Sequence, residues 1–312
     1  MGSEGHLSVP TINFSNSSLK PGTPEWDLVK SHVMKAAEDY GCFIASFDKL
    51  PVEARKGMVN ELKDLFDLPV ETKLQRLSTR PYYGYIGNFP NFENLEVGNP
   101  ISLDAITSFV DMIWPEGRPS FSQNMQSFTK PILELDSLIK RIVYESLGVE
   151  KYLEELKDST TYTLRVMSYN RPENGDEDQI LLPAHFDKNN MTILYQFQGD
   201  GLEIEAETGD WIKIKPSHDS FVVMFGESFH AWTNGRVKPA YHRVEMTENQ
   251  TRYSAGIFTG FDHTFTVKAP EELVDEEHPL LFKPYVYIDL IKQIQTELSR
   301  GSRYCFDAYR IA

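Results

Sequence analysis

Apolar residues recur at helical spacing in three stretches of the first half of the chain. Trp26, Val29, Val33 and Ala37 share one face across residues 24–40, and a second amphipathic run covers 51–68. The third run, across 119–147, carries Phe121, Met125, Phe128, Ile132, Leu135, Ile139, Ile142 and Val143, as a long core helix does. Pro24 near the first start, Gly41 after the first run and Gly148 after the third suit helix ends. Residues 9–14 alternate like an edge strand around Pro10, and 41–47 form a short apolar strand. Residues 80–100 set Tyr82, Tyr83, Tyr85, Phe89 and Phe92 among Gly, Asn and Pro, a texture that predicts an aromatic loop.

After residue 158 the pattern changes. β-rich runs at 160–169, 191–196, 202–205, 211–214, 220–225, 240–246 and 253–259 are broken by Gly, Asn, Asp or Pro. Closely spaced strands with few helices between them predict an antiparallel double-sheet barrel. Residues 284–298 turn helical again. The fold class expected is α+β: a double-stranded β-helix (jelly-roll) core flanked by N-terminal and C-terminal helices. Three regions of one functional unit are expected: a helix-rich region at 1–158, the jelly-roll core at 159–268, and a helical segment at 269–312 that serves as a lid.

The formal net charge of −15 narrows the partners. So acidic a surface repels phosphate backbones and anionic lipid, which argues against nucleic acid and membrane. No apolar run approaches the length of a membrane span, and the first ten residues lack a secretory pattern. Cys42 and Cys305 form no disulfide framework. A cytoplasmic protein, working as a monomer on a small molecule, is the expectation.

The chemistry concentrates in the β-rich half. A His followed two places later by an acid is expected about once by chance with eight histidines and 46 acidic residues. His185-Phe186-Asp187 alone therefore says little. Its position beside the run at 191–196, with His242 inside a later strand and Arg252-Tyr253-Ser254 opening another, says more. Positions i and i+2 of a strand share a face, so His185 pairs with Asp187 and Arg252 with Ser254. Two imidazoles and a carboxylate suit ferrous iron and leave coordination positions open. A guanidinium fork with a neighbouring hydroxyl suits the remote carboxylate of a 2-oxo diacid.

The constellation His185-x-Asp187, His242, Arg252-x-Ser254 resembles the plant-type iron(II)- and 2-oxoglutarate-dependent dioxygenase family. Further likenesses span nearly the whole chain: the strand at 9–14, Tyr40-Gly41-Cys42-Phe43, Trp232-Thr233-Asn234-Gly235-Arg236, and Glu272-Leu273-Val274-Asp275 with His278-Pro279 and Phe282. Lys20-Pro21-Gly22-Thr23, Trp114-Pro115-Glu116-Gly117 and residues 273–280 are similar to a specialised-metabolism clade. That clade comprises alkenyl hydroxalkyl-producing proteins, steroidal-alkaloid hydroxylases and deoxypodophyllotoxin synthase. The resemblance implies Fe(II) on His185, Asp187 and His242, with 2-oxoglutarate and O2 as cosubstrates and ascorbate as a supporting reductant. It places the far carboxylate of 2-oxoglutarate on Arg252 and Ser254, with Tyr169 as a further donor. Many relatives have Asn-x-Tyr where this chain has Met167-Ser168-Tyr169, so only Tyr169 carries over and Met167 is left to line the pocket.

What the resemblance implies is hydroxylation, desaturation or oxidative ring closure of a bulky plant specialised metabolite, with 2-oxoglutarate converted to succinate and CO2. Substrate contacts are expected around the barrel mouth, from Tyr85, Phe89, Phe92, Phe109, Met167, Phe258 and Tyr304. Two rival readings are a non-catalytic jelly-roll binding protein and a zinc hydrolase. The first needs no metal triad, and the second leaves Arg252 and Ser254 without a task.

Overall fold

The computed structural model describes residues 7–76, 78, 83–89, 91–170, 179–246, 250–298 and 308–311. Thr11–Asn13 (β1) and Cys42–Ser46 (β2) run parallel, joined by the helix Pro24–Asp39 (α1). Thr23 caps α1, its hydroxyl accepting from the Trp26 N–H at 3.2 Å. Val52–Phe66 (α2) and Val70–Lys73 (α3) lead to the hairpin Tyr85–Phe89 (β3) and Phe92–Gly98 (β4). Leu103–Ile113 (α4), Pro119–Leu147 (α5) and Tyr152–Glu155 (α6) complete the helical part, and α5 stops at Gly148, whose φ is +70°.

The strands that follow are Thr160–Tyr169 (β5), Gln179–Phe186 (β6), Met191–Gln198 (β7), Leu202–Glu205 (β8), Trp211–Lys213 (β9) and Ser220–Phe225 (β10). After Glu227–Trp232 (α7) come Tyr241–Met246 (β11), Arg252–Phe261 (β12), the short pair Thr266–Val267 (β13) and Tyr285–Val286 (β14), and Tyr287–Leu298 (α8). Among the described residues an eight-stranded sheet, in the order β1-β2-β10-β7-β12-β5-β4-β3, faces a four-stranded sheet ordered β6-β11-β8-β9. This is the jelly-roll core of an α+β fold. No helix among the described residues is long and apolar enough to cross a membrane.

Alternation along the large sheet sorts its side chains into two cores. Leu95, Val97, Leu164, Val166, Ile193, Tyr195, Ala255 and Ile257 pack with the helices. Phe92, Met167, Tyr169 and Leu194 pack inside the barrel, against Leu202, Ile204 and Val244 of the small sheet. The long helix α5 covers the outer face: buried Phe128 lies 6.0 Å from the Tyr195 ring and 5.4 Å from Phe197. Its fully buried Asp136 accepts from the Thr259 hydroxyl at 2.8 Å and pairs with Lys140 at 2.9 Å, which ties α5 to β12. Phe128→Ala is expected to cost about 3–5 kcal/mol, as buried aromatic deletions do, with the loss read from urea denaturation.

Three sequence expectations change. The stretch 80–100 is not simply a loop, because Tyr85–Phe89 and Phe92–Gly98 pair antiparallel, with Asn91 before the second strand at φ +63°. Glycine and asparagine there serve the turn and edge of a strand pair. β6 escaped the sequence pattern; as the edge of the small sheet it tolerates Pro183, which breaks the apparent run. Finally, residues 1–158 do more than pack on the barrel, since β1 to β4 supply four of the eight strands of the large sheet.

Candidate active site

β6 and β11 pair antiparallel with His185 directly opposite His242, so both imidazoles project from one face, with ring centroids 4.3 Å apart. The Nδ1 atom of His185 lies 2.9 Å from the Pro183 carbonyl, and that of His242 lies 3.1 Å from the Ala240 carbonyl. A carbonyl only accepts, so each Nδ1 carries the proton and each Nε2 keeps its lone pair free. Asp187 follows just beyond β6. Its Oδ1 stands 3.7 Å from His185 Nε2 and 4.0 Å from His242 Nε2. One donor atom from each of the three residues lies within 4.8 Å of the others.

The Asp187 backbone is pinned by the Glu227 N–H at 2.9 Å, and its Oδ2 accepts from the Thr192 hydroxyl at 2.5 Å. Burial, then the neighbouring His242 imidazole, hold His185 below its ordinary value, at about 4. Burial alone would raise the Asp187 carboxyl, but the two imidazoles and the Thr192 hydroxyl outweigh it and keep the group below the usual carboxylate range. A His185 imidazole held neutral and an Asp187 carboxyl held ionised are the forms in which these two groups ligate a divalent ion. The donor set therefore fits iron(II).

A second polar group lies deeper in the barrel. Arg252, fully buried at the start of β12, donates from Nη2 to the Gln196 side-chain carbonyl at 2.8 Å and from Nη1 to the Ser254 hydroxyl at 3.3 Å. Its guanidinium carbon lies 4.7 Å from the Tyr169 ring centroid, and its Nε is buried without a hydrogen-bond partner among the described residues. Gly199, at φ +77°, lets the end of β7 approach: a Cβ there would stand 3.0 Å from Arg252 Cβ. Burial lowers the Arg252 pKa from its ordinary value, with Tyr169 opposing the shift. A buried cation with an orphaned donor and no carboxylate in ion-pair range among the described residues fits the far carboxylate of a 2-oxo diacid.

The proposed pocket residues divide. Phe92 lies inside the barrel, its ring centroid 4.8 Å from Tyr169. Met167 is buried there too, its sulfur accepting a weak hydrogen bond from the Tyr169 hydroxyl at 3.6 Å. Phe258 packs against the same core, with the Arg165 guanidinium carbon 5.0 Å from its ring centroid. Phe109 does not line the barrel. It belongs to the helical core, tilted on Phe121 at 5.9 Å, because the apolar face of α4 turns toward α5. Tyr85 likewise packs on the helical core, bonded to Glu93 at 2.6 Å, on the outer parity of the hairpin. Phe89 ends β3, while Tyr82 and Tyr304 lie outside the described residues.

Several polar residues of the barrel interior were not foreseen. Thr192 and Gln196 are buried polar positions of β7, on the parity that Leu194 shares, and their interruption of an apolar run was a readable signal. Asn94, opposite Met167 on β4, is buried with its Oδ1 unpartnered among the described residues. Arg165 shares the inward parity of Met167 and Tyr169 on β5, and burial lowers its pKa against the opposing charge of Asp187. No short motif marks either of these two.

Comparison with known proteins gives the site its setting. Residues 162–260 match the 2OG-Fe(II) oxygenase superfamily, and residues 9–99 match the non-haem dioxygenase in morphine synthesis N-terminal family. The chain is 42% identical over 308 residues to an Arabidopsis thaliana protein named Probable 2-oxoglutarate-dependent dioxygenase AOP1.2, covering 97% of this chain and 96% of that one. The rice dioxygenase for auxin oxidation superposes with a TM-score of 0.79 at 24% identity, over 97% of this chain and 100% of that one. The Arabidopsis thaliana dioxygenase for auxin oxidation 1, solved with 2-oxoglutarate, gives 0.75 at 25% identity, over 87% and 100%. The expected iron(II), 2-oxoglutarate and catalytic role thus stand, and the rival readings of a zinc hydrolase and a passive binding protein fall away. With fold, donor chemistry and sequence in agreement along its length, the chain belongs to the 2OG-Fe(II) oxygenase superfamily as a 2-oxoglutarate-dependent dioxygenase.

Proposed function

We propose that His185, Asp187 and His242 hold the iron, and that Arg252 and Ser254, with Tyr169, grip the far carboxylate of 2-oxoglutarate. The organic substrate in this reading is a bulky, mostly apolar plant specialised metabolite. One observation carries the reading: a buried guanidinium with an orphaned donor shares a barrel with a convergent His–Asp–His set. Iron(II), once bound, couples substrate oxidation to decarboxylation, so that 2-oxoglutarate, O2 and R–H give succinate, CO2 and R–OH. In a desaturation or ring closure the second hydrogen leaves with the remaining oxygen atom as water.

The chain's own groups bind, orient and shield. The carbonyls of Pro183 and Ala240 hold each imidazole in the tautomer that presents Nε2. Tyr169 packs against Arg252 and, with Phe92 and Met167, forms an apolar wall that keeps water from the guanidinium. Phe258 and Met167 support an apolar substrate, while Asn94, whose Oδ1 has no partner among the described residues, offers it a hydrogen bond. Ascorbate, as a reductant that keeps the iron ferrous, belongs to the same reading. A buried free thiol at Cys42 supports a cytosolic enzyme, and a monomer working in the cytoplasm belongs to the same reading.

Mass spectrometry of plant metabolites incubated with the iron-loaded protein and 2-oxoglutarate tests the proposal. A product heavier by one oxygen or lighter by two hydrogens, formed with succinate, is the expected result. Phe258→Ala is then expected to lower product formed per succinate while substrate-free succinate release persists, with both measured in parallel. Unchanged coupling would remove Phe258 from the substrate wall.

A further inference from the structure

The loop joining the two sheets holds a hydrogen-bond chain with a fixed direction. The Nδ2 atom of Asn189 lies 3.0 Å from the Met191 carbonyl and 3.0 Å from the Thr192 hydroxyl. A carbonyl cannot donate, so the atom facing it is the amide nitrogen, and that nitrogen also donates to Thr192. The single Thr192 proton must then point elsewhere, and Asp187 Oδ2 stands 2.5 Å away. Thr192 is fully buried, so no water competes for that proton.

The arrangement has a cost that argues against accident. Asn189 is buried with its Oδ1 unpartnered among the described residues, a penalty accepted so that its nitrogen faces Thr192. Gly226 makes room for it: a Cβ there would lie 2.2 Å from the Asn189 carbonyl oxygen and 2.7 Å from its Oδ1. The same glycine N–H donates to the Asn190 carbonyl at 3.0 Å, and the Asn190 N–H donates to the Thr259 carbonyl at 2.8 Å. The loop is therefore held from α7 and from β12.

We infer that Thr192, oriented by Asn189, is a positioning residue that occupies one oxygen of Asp187 and leaves only Oδ1 to ligate metal. The inference rests on the reading of Asp187 as a ligand. Its consequence is a coordination count. A carboxylate held to one oxygen, with two imidazoles, leaves about three positions of an octahedral ion to cosubstrate and oxygen, whereas a two-oxygen carboxylate leaves about two.

Metal-free protein titrated with manganese(II) alone provides the test. The dissociation constant is read from the spin resonance of free manganese, and the number of bound waters from water-proton relaxation. Thr192→Val, which keeps the shape and removes the hydroxyl, is expected to bind about ten- to a hundredfold more weakly and to carry about one water fewer. Thr192→Ser should stay close to wild type, and Thr192→Ala should follow the valine variant, which covers a valine chain that fails to fold. If affinity and hydration are unchanged in the valine and alanine variants while Asp187→Ala loses manganese, the relay is overturned and the ligand reading stands. If serine weakens binding as much as valine, the threonine methyl and not the hydroxyl matters, and the inference also fails. If Asp187→Ala binds manganese like wild type, the ligand reading itself is wrong.

Discussion

Asp187→Ala is expected to leave a folded chain that retains no iron and releases no succinate from 2-oxoglutarate. Three donors converge on one volume, and Asp187 is the only carboxylate among them. Its loss leaves two imidazoles without the negative charge that makes a divalent ion favourable there. Disturbing an outer hydrogen-bond partner of a metal ligand already costs ten- to a hundredfold in affinity, so removing the ligand should exceed about a hundredfold. His185→Ala and His242→Ala should do the same, since each removes one of the paired Nε2 atoms. Asp187→Glu should be nearly as damaging, because the longer arm carries the carboxylate away from both imidazoles and from the Thr192 hydroxyl. Metal analysis of each purified variant, with succinate measured alongside, checks this. Wild-type turnover in any alanine variant would remove that residue from the metal set.

Arg252→Lys should raise the apparent constant for 2-oxoglutarate while leaving iron affinity unchanged. The guanidinium carbon lies 4.7 Å from the Tyr169 ring centroid, its terminal nitrogens donate to Gln196 and Ser254, and its Nε has no partner among the described residues. An ammonium offers a point charge without the planar fork, and the buried position favours its neutral form. Losing one charge-assisted hydrogen bond is worth about 1.5–3 kcal/mol, or roughly ten- to a hundredfold in affinity. The dependence of succinate release on 2-oxoglutarate concentration gives the answer. An unchanged constant would show that the far carboxylate sits elsewhere.

The proposed metal and 2-oxo acid residues could be read from the sequence because strand parity links positions two apart. His185 with Asp187 and Arg252 with Ser254 have the local spacing, while their selection, with His242, followed from the order along the chain and from likeness to a known pattern. The long helix α5 was equally legible, since its apolar positions repeat over eight turns between a proline and a glycine. Nonlocal pairing set the limit. Asn94 and Arg165 face the barrel because β4 pairs with β5 in one register, and nothing near either residue announces that register. Phe109 misled for a related reason: an apolar helix face shows that it is buried without showing against what. Thr192 lay between these cases, a hydroxyl interrupting an apolar strand, whose meaning appears only beside Asp187.

The most direct measurement is a diffraction structure of the chain with manganese(II) and 2-oxoglutarate under exclusion of oxygen. The account predicts one metal ion bonded to Nε2 of His185, Oδ1 of Asp187 and Nε2 of His242, with the far carboxylate of 2-oxoglutarate on Arg252 and Ser254. A metal ion held by other residues, or a far carboxylate directed away from Arg252, would contradict it.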